Sequence, residues 1–391
     1  MREAVIVEAV RTPMGKRNGK LKDWHPVDLL AHVLKAAVER SGIDPSEVED
    51  VISGCVSQVG EQSINIARNG WLAAGFPVEV PGTTVDRQCG SSQQAIHFAA
   101  QGVMAGAYDA VIACGIEHMT RVPMGANAQN HGFPFTQSIM DRYNMIPQGL
   151  SAEMIADKWN ISREELDKIG YRSQMLAKQA TVEGHFEREI VPVPVKTEDG
   201  EEMVATDGGI RDTTLEIMAG LKPSFKPEGG KVTAGNSSQI TDGASAVLIT
   251  TPEKAEQMGV KPRARFHAFA LAADDPVIML TAPIPATAKV LKKAGLTLDD
   301  IDVVEINEAF ASVIGAWQRE MALDPSETTD LGANKINPNG GAIALGHPLG
   351  ASGARLMTTL LHELERRGAR WGLQTMCEGG GMANATVIER V

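Results

Sequence analysis

The sequence is short of cysteine, of positive charge and of long apolar runs, and each shortage removes a class of protein. Its four cysteines, Cys55, Cys89, Cys114 and Cys377, are spread through 391 residues with no C-x-x-C pair. A chain of this length buries a core of its own, so a disulfide framework is not expected. Without paired-ligand spacing such as C-x-x-C or H-x-x-x-H, no metal site is expected either. Lys and Arg number 37 against 49 Asp and Glu, a net charge of -12. That argues against a nucleic-acid binder, which needs a broad basic face, yet leaves room for a local basic patch and a small anionic ligand. No apolar run is long enough to cross a bilayer. Neither a signal-peptide core nor an arginine-rich transit segment precedes the strand-like start Ala4-Val5-Ile6-Val7. The expectation is no membrane insertion and a cytoplasmic location.

What is present is 43% hydrophobic and 22% charged, the composition of a folded chain with more than one domain. Short β-branched runs alternate with amphipathic stretches: Ala4–Val7, a helix near Pro26–Arg40, Val48–Ile52, a helix from about Ser91, then Asp109–Cys114. Such alternation predicts an α/β architecture with a largely parallel sheet. The second half repeats the order. The stretch from Gly42 to Val51 aligns without gaps on that from Gly295 to Val304, and Cys89-Gly90-Ser91-Ser92 opens a helix as Gly350-Ala351-Ser352-Gly353 does. Those helices lead to Ala110–Cys114 and Leu373–Cys377, and both halves close on a similar strand, Ala244–Thr250 and Ala385–Glu389. In the second half a short glycine loop makes the last connection; in the first, residues 119–241 are inserted, with helices expected over Ser151–Trp159 and Ser162–Glu183. The predicted layout is 1–118 with 242–263, an inserted loop domain over 119–241, and 264–391.

Cys89 follows the strand-like Thr83-Thr84-Val85 and precedes a helix. Unpaired N–H groups at a helix start favour thiolate, and a thiol near 8.5 can fall to roughly 3.5–7.5 there. A cysteine is more often a buried structural thiol, but the small neighbours of Cys89 leave its sulfur uncovered. Cys55 and Cys114 lie inside apolar strand runs, and for them the structural reading holds. His347, in Gly346-His347-Pro348-Leu349-Gly350, is an imidazole held in a glycine-rich loop ahead of a helix, a natural base for a thiol. Cys377-Glu378-Gly379-Gly380-Gly381 frees backbone N–H groups to point inward as an oxyanion hole requires; alone it would pass for a tight turn. Asn307, in Asn307-Glu308-Ala309-Phe310, is either a plain N-cap or an amide holding a water or a substrate oxygen.

Together Q-C-G-S-S, N-E-A-F-A, G-H-P-L-G-A-S-G-A and C-E-G-G-G resemble the thiolase family over essentially the whole chain. The resemblance implies a thiolase-like α/β fold, two duplicated domains with mixed sheets in layers plus the inserted loop domain. It implies that Cys89 is acylated, that His347 activates it and stabilises an enolate or oxyanion, and that Asn307 holds the water completing that hole. Cys377 becomes the acid/base, and the N–H groups of Cys89 and Gly379 the second hole. Coenzyme A is then a substrate, with no permanent cofactor. Within the insertion Arg211 resembles the residue that meets CoA phosphate or adenine, Ser238 the pantetheine contact and Phe225 part of the tunnel wall, with ordinary surface residues the alternative for all three. Glu378 stands where a neutral residue is more usual, which alters the local electrostatics.

The implied reaction is ping-pong thiolysis of a 3-ketoacyl-CoA to acetyl-CoA and a shortened acyl-CoA. The biosynthetic acetoacetyl-CoA-forming type is the nearest rival; the stretch Ile146–Glu153 lacks its His-Met pair and reads closer to the degradative type. Segments such as C-G-S-S-Q-Q-A and A-C-G-I-E also resemble thiolases of bacterial lipid and steroid degradation, which extends the expected substrates to bulky acyl chains. A decarboxylating ketosynthase would typically place His or Asn at Cys377. A non-catalytic acyl-CoA or lipid-binding relative would not need all four of Cys89, His347, Asn307 and Cys377, and a zinc site on Cys89, His347 and Cys377 lacks ligand spacing. A homodimer or homotetramer is expected, associating with other β-oxidation enzymes.

Overall fold

A glycine in the left-handed region closes the first long helix of each half: Gly42, at φ 76°, ends Pro26–Ser41, and Gly295, at φ 69°, ends Pro283–Ala294. Each turns the chain toward a strand, which is the structural content of the gapless alignment between the two segments. The structure, a computed structural model, describes residues 2–129, 132–198 and 200–391. Its strands are β1 (Val5–Arg11), β2 (Gly15–Lys16), β3 (Asp50–Gly54), β4 (Gly82–Val85), β5 (Ala110–His118), β6 (Val193–Thr197), β7 (Gly200–Val204), β8 (Thr241–Thr250), β9 (Ala264–Ala273), β10 (Val303–Ile306), β11 (Trp371–Glu378) and β12 (Met382–Arg390).

All but the β6–β7 hairpin join one sheet, ordered β10-β11-β12-β9-β1-β8-β5-β3-β4, with β2 beside β8. Outward from its middle, β1-β8-β5-β3-β4 is matched by β9-β12-β11-β10, and Ile336 bridges Val304 in parallel where β4 lies beside β3 in the other half. The halves meet through antiparallel pairing of Val5 with Arg265 and Ile6 with Ala264. The sheet is mixed, not largely parallel. β3–β4, β3–β5 and β10–β11 are parallel, while β8 and β12 run antiparallel to both neighbours. β12 must do so, because it returns from β11 across a turn between the paired residues Glu378 and Met382, and a tight turn joins only antiparallel strands. β8 takes the equivalent slot although residues 119–240 intervene.

The helices Ser91–Ala105 and Ser352–Arg367 form a buried middle layer, with Ala95, Ile96, Ala99 and Val103 of one sharing an apolar cluster with Ala354, Met357, Leu360 and Leu361 of the other. Their N-terminal ends are pressed together: a Cβ on Gly353 would fall 2.2 Å from the Gln93 nitrogen, and one on Gly54 2.2 Å from that of Ser92. Two helix starts, one from each half, therefore sit side by side inside the molecule. The inserted segment divides its packing. Ile155, Ile161, Leu166 and Ile169, from the helices Gln148–Lys158 and Arg163–Val182 and the turn between them, join the core of the second half. Val193, Val195 and Val204 of the β6–β7 hairpin join that of the first. Buried Arg11 anchors it, bonding Glu189 at 2.5 Å and Asp207 at 2.7 and 3.0 Å.

Two elements differ from expectation at their ends. Pro45–Glu47 forms a 3-10 turn capped by the Asp44 side chain, which moves the strand expected at Val48–Ile52 to Asp50–Gly54. The first long helix of the insertion starts at Gln148 on Pro147, three residues ahead of the expected Ser151.

Candidate active site

Cys89 is presented on a strained turn. Gln88, before it, has φ 48°, a left-handed conformation uncommon for a residue with a side chain. Side chains hold the turn: Asp86 Oδ1 accepts from the Gln88 N–H at 2.7 Å, and Ser91 Oγ accepts from the Arg87 N–H at 2.9 Å and donates to the Gln88 carbonyl at 2.5 Å. The helix start is present as expected, but the sulfur is not uncovered. Cys89 is buried among Val56, Met119, Leu349 and Met376. Burial, then the charge of Glu378, pushes its thiol up to about 12, and the N–H groups of Gly379 and Cys89 offset only part of this. The expectation of a resting thiolate is therefore corrected: desolvation outweighs the helix-start donors, and the group is a thiol in need of a base.

His347 supplies one. Its backbone N–H donates to Thr241 Oγ1 at 3.0 Å, and its Nδ1 lies 2.5 Å from Ser352 Oγ. Ser352 Oγ gives its own proton to the Pro348 carbonyl at 2.8 Å, so it must accept from Nδ1–H. That fixes the tautomer with a lone pair on Nε2, which faces Asn307 Nδ2 at 3.4 Å. Burial and the nearby Arg355 guanidinium lower the ring to about 3, so it is a neutral imidazole at physiological pH. The loop that carries it is tied across the halves. Glu117, at the end of β5, accepts from the N–H groups of Val56, Ser57 and Gly350 at 2.9, 3.0 and 2.9 Å.

Asn307 is fully buried, its N–H donates to the Thr375 carbonyl at 3.1 Å, and its Oδ1 has no partner among the described residues. Glu308 beside it accepts from Ser173, Asn337 and the Ile343 N–H at 2.6, 3.0 and 3.2 Å, holding the loop rigid. Cys377 is buried near the end of β11, and burial followed by the charge of Cys89 raises its thiol well above the ordinary range. Gly379 opens the following turn, where Gly380 and Gly381, at φ 83° and 82°, need the left-handed region. Asn307 thus faces His347, and Gly379 acts on Cys89 from the other half. Among the described residues no three His, Cys, Asp or Glu side chains are grouped as metal ligands. Cys55 and Cys114 are buried elsewhere in the first-half core with raised thiols.

A cavity of about 340 Å³ is lined by Lys16, Arg17, Arg211, Ala234, Ser238, Gln239 and Ile240. Ile240 also packs on the Cys89 cluster, so the two share a wall residue. The Arg211 guanidinium donates to the Ala234 carbonyl at 3.2 Å, and its backbone N–H to Gln174 Oε1 at 2.8 Å. Lys16 and Arg17 come to this wall from the first half. The Ser238 N–H donates to the Ala309 carbonyl at 3.0 Å, joining this wall to the Asn307 loop. Phe225 stacks edge-on against Phe310, centroids 6.0 Å apart, and covers Gly149, where a Cβ would meet its ring at 2.2 Å. Sequence reasoning passed over Ser352, Thr241, Glu117, Lys16 and Arg17. Ser352 was legible as the residue five places after His347 at a helix start, and Lys16-Arg17 as an adjacent basic pair in an acidic chain.

Residues 4–253 match the sequence profile of the thiolase N-terminal domain and residues 260–390 that of the thiolase C-terminal domain. The steroid 3-ketoacyl-CoA thiolase FadA6 of Mycobacterium tuberculosis is 52% identical over 400 residues, covering 100% of this chain and 95% of that protein. A 3-ketoacyl-CoA thiolase of Aliivibrio fischeri is 45% identical over 398 residues, covering 100% of both. The crystal structure of the Bacillus anthracis acetyl-CoA acetyltransferase superposes with a TM-score of 0.91 at 39% identity, covering 100% of this chain and 99% of the other.

Proposed function

The chain belongs to the thiolase family and is an acyltransferase, and on that premise we propose CoA-dependent cleavage of 3-ketoacyl-CoA by a ping-pong route through an acyl group on Cys89. One observation carries the reading: the buried Cys89 thiol receives the Gly379 N–H, and a tautomer-fixed imidazole faces an amide whose oxygen has no partner among the described residues.

His347 Nε2 takes the proton of Cys89 as the sulfur bonds to the 3-keto carbon. Thiol and imidazole are both neutral at rest, so the proton crosses only when the resulting ion pair is stabilised by the forming bond. The alkoxide points at the N–H groups of Cys89 and Gly379. When the carbon–carbon bond breaks, the thioester oxygen of the leaving acetyl-CoA enolate is met by His347 Nε2–H and by a water held on Asn307. The Cys377 thiol protonates its carbon. In the second half-reaction the Cys377 thiolate takes the proton of incoming CoA, whose sulfur attacks the acyl group. Cys89 leaves as a thiolate and recovers its proton from His347, so all protons return to their starting places. Thiols, an imidazole and backbone donors suffice for every step, and no resident cofactor enters the reading.

Arg211, Lys16 and Arg17 are suited to CoA phosphates, Ser238 to pantetheine, and Phe225 with Phe310 to the tunnel wall. The resemblance to FadA6 supports a bulky, steroid-derived acyl chain. We assign 1–118 with 242–263 and 264–391 to the two duplicated domains and 119–241 to the domain that covers the CoA site. A homodimer or homotetramer fits the open edge of β4 and the exposed Ile64, Val78 and Phe98 around it. Four free cysteines and a CoA substrate fit the cytoplasm, where other β-oxidation enzymes would supply the ketoacyl-CoA. No helix among the described residues is long and apolar enough to cross a membrane. Steady-state thiolysis of acetoacetyl-CoA and of medium-chain, long-chain and steroid-derived 3-ketoacyl-CoAs tests the reading. Acetyl-CoA release that needs free CoA and prefers a bulky chain is expected; no release from any substrate refutes it.

A further inference from the structure

Glu378 is the buried acid that these steps do not use. Strand alternation turns it away from Cys377, onto the face of β11 that meets the start of the helix Ser91–Ala105. It is wholly buried there, and its carboxyl lies so close to Gly90 that a Cβ on that glycine would fall 1.9 Å from Oε1. Neither oxygen makes a hydrogen bond of normal geometry. The groups that act on it are the Arg87 guanidinium, from the turn ahead of the helix, and the Asn384 N–H, from β12. The Cys89 and Cys377 thiols complete its titratable surroundings. Among the described residues Arg87 Nε is itself buried without a hydrogen-bond partner, as are both carboxylate oxygens. An unpaired buried carboxylate is costly and takes up a proton instead. Burial pushes Glu378 up to about 8, with Arg87 offsetting part of the rise.

We propose that Glu378 is a positioning residue that acts on Cys89 through its charge: as a neutral acid it lets the thiol give up its proton, and as a carboxylate it holds that proton on. The inference rests on Cys89 being the acylated residue. Its physical basis is like-charge repulsion in a site closed to water, where a thiolate and a carboxylate on neighbouring backbone oppose each other. The same charge opposes ionisation of Cys377. The consequence is activity that falls at alkaline pH, the reverse of an isolated thiol, whose thiolate fraction only rises with pH.

The test measures kcat/KM for thiolysis and the rate of Cys89 alkylation by iodoacetamide, both from about pH 6 to 10, in the wild type, Glu378→Gln and Glu378→Asp. For a carboxyl titrating near 8, wild-type kcat/KM falls roughly tenfold between about pH 7.5 and 9. Glu378→Gln, with an unchanged melting temperature, stays within about threefold of wild type at neutral pH and loses the alkaline fall, while Glu378→Asp keeps it. Wild-type alkylation rises less than about tenfold per pH unit through that range, and Glu378→Gln restores the steeper rise. Superimposable wild-type and Glu378→Gln profiles overturn the proposal. Should Glu378→Gln not fold, the wild-type alkylation profile decides alone, and an uninterrupted rise of about tenfold per unit overturns it. If the acyl group is found on another residue, the functional reading fails, while alkylation still reports whether Glu378 governs Cys89.

Discussion

Replacing Ser352 by alanine removes the acceptor that holds His347 in its working tautomer. Ser352 Oγ accepts from Nδ1–H at 2.5 Å and donates to the Pro348 carbonyl at 2.8 Å, both inside the protein. In the variant Nδ1–H is left buried and unpaired. A hydrogen bond to a charged group is worth about 1.5–3 kcal/mol and one between neutral groups about 0.5–1.5 kcal/mol, so the loss specific to the imidazolium formed during acylation is about 1–1.5 kcal/mol. That alone slows acylation roughly tenfold. The ring is also free to move its proton to Nε2, where it can no longer take one from Cys89, and the combined loss is about 10–100-fold. Rapid-quench mass spectrometry of Cys89 acylation by acetoacetyl-CoA measures the rate, and nitrogen NMR of labelled histidine reads the tautomer. Ser352→Thr, which keeps the hydroxyl, should recover most of the rate. An unchanged acylation rate in a folded Ser352→Ala protein refutes the argument.

Three further outcomes follow from the geometry. Cys377→Ala should still acquire an acyl group on Cys89 from a simple acyl-CoA yet lose about 10²–10⁴ in thiolysis, measured by comparing the two half-reactions; equal loss of both would make Cys377 structural. Arg211→Ala, and separately Lys16→Ala with Arg17→Ala, should raise KM for CoA, leave kcat nearly constant and flatten the salt dependence of KM, while a pantetheine thioester lacking the nucleotide is unaffected. Asp207→Ala leaves Arg11 buried with one of its two carboxylate partners, and urea unfolding should show a loss of about 3–5 kcal/mol, without a matching loss in kcat at temperatures where the protein is folded.

Much of this architecture can be read from residue order because the two halves constrain each other. The matched segments at Gly42 and Gly295 fall on equivalent helix ends, and Cys89 falls just ahead of a helix start, in a buried cluster with Leu349 and Met376 of the second half. Strand direction was harder. Alternating elements suggest parallel pairing, and only the short glycine turn after Cys377 carries the information that β12, and so its counterpart β8, runs backwards. The chemical state of Cys89 was also hidden, since small neighbours in sequence say nothing of Met119, Leu349 and Met376 closing over the sulfur from distant parts of the chain. Lys16 and Arg17 reach the cavity beside Arg211 because β2 pairs with β8 at Asp242 and Thr241, a contact across more than half the chain that no local pattern encodes.

The most direct measurement is the mass of the intact protein and of its peptides after brief exposure to acetoacetyl-CoA without free CoA. One acetyl group is expected, on the peptide containing Cys89, removed on adding CoA with formation of acetyl-CoA. An acetyl group on Cys55, Cys114 or Cys377, or no adduct while the enzyme turns over, would contradict it.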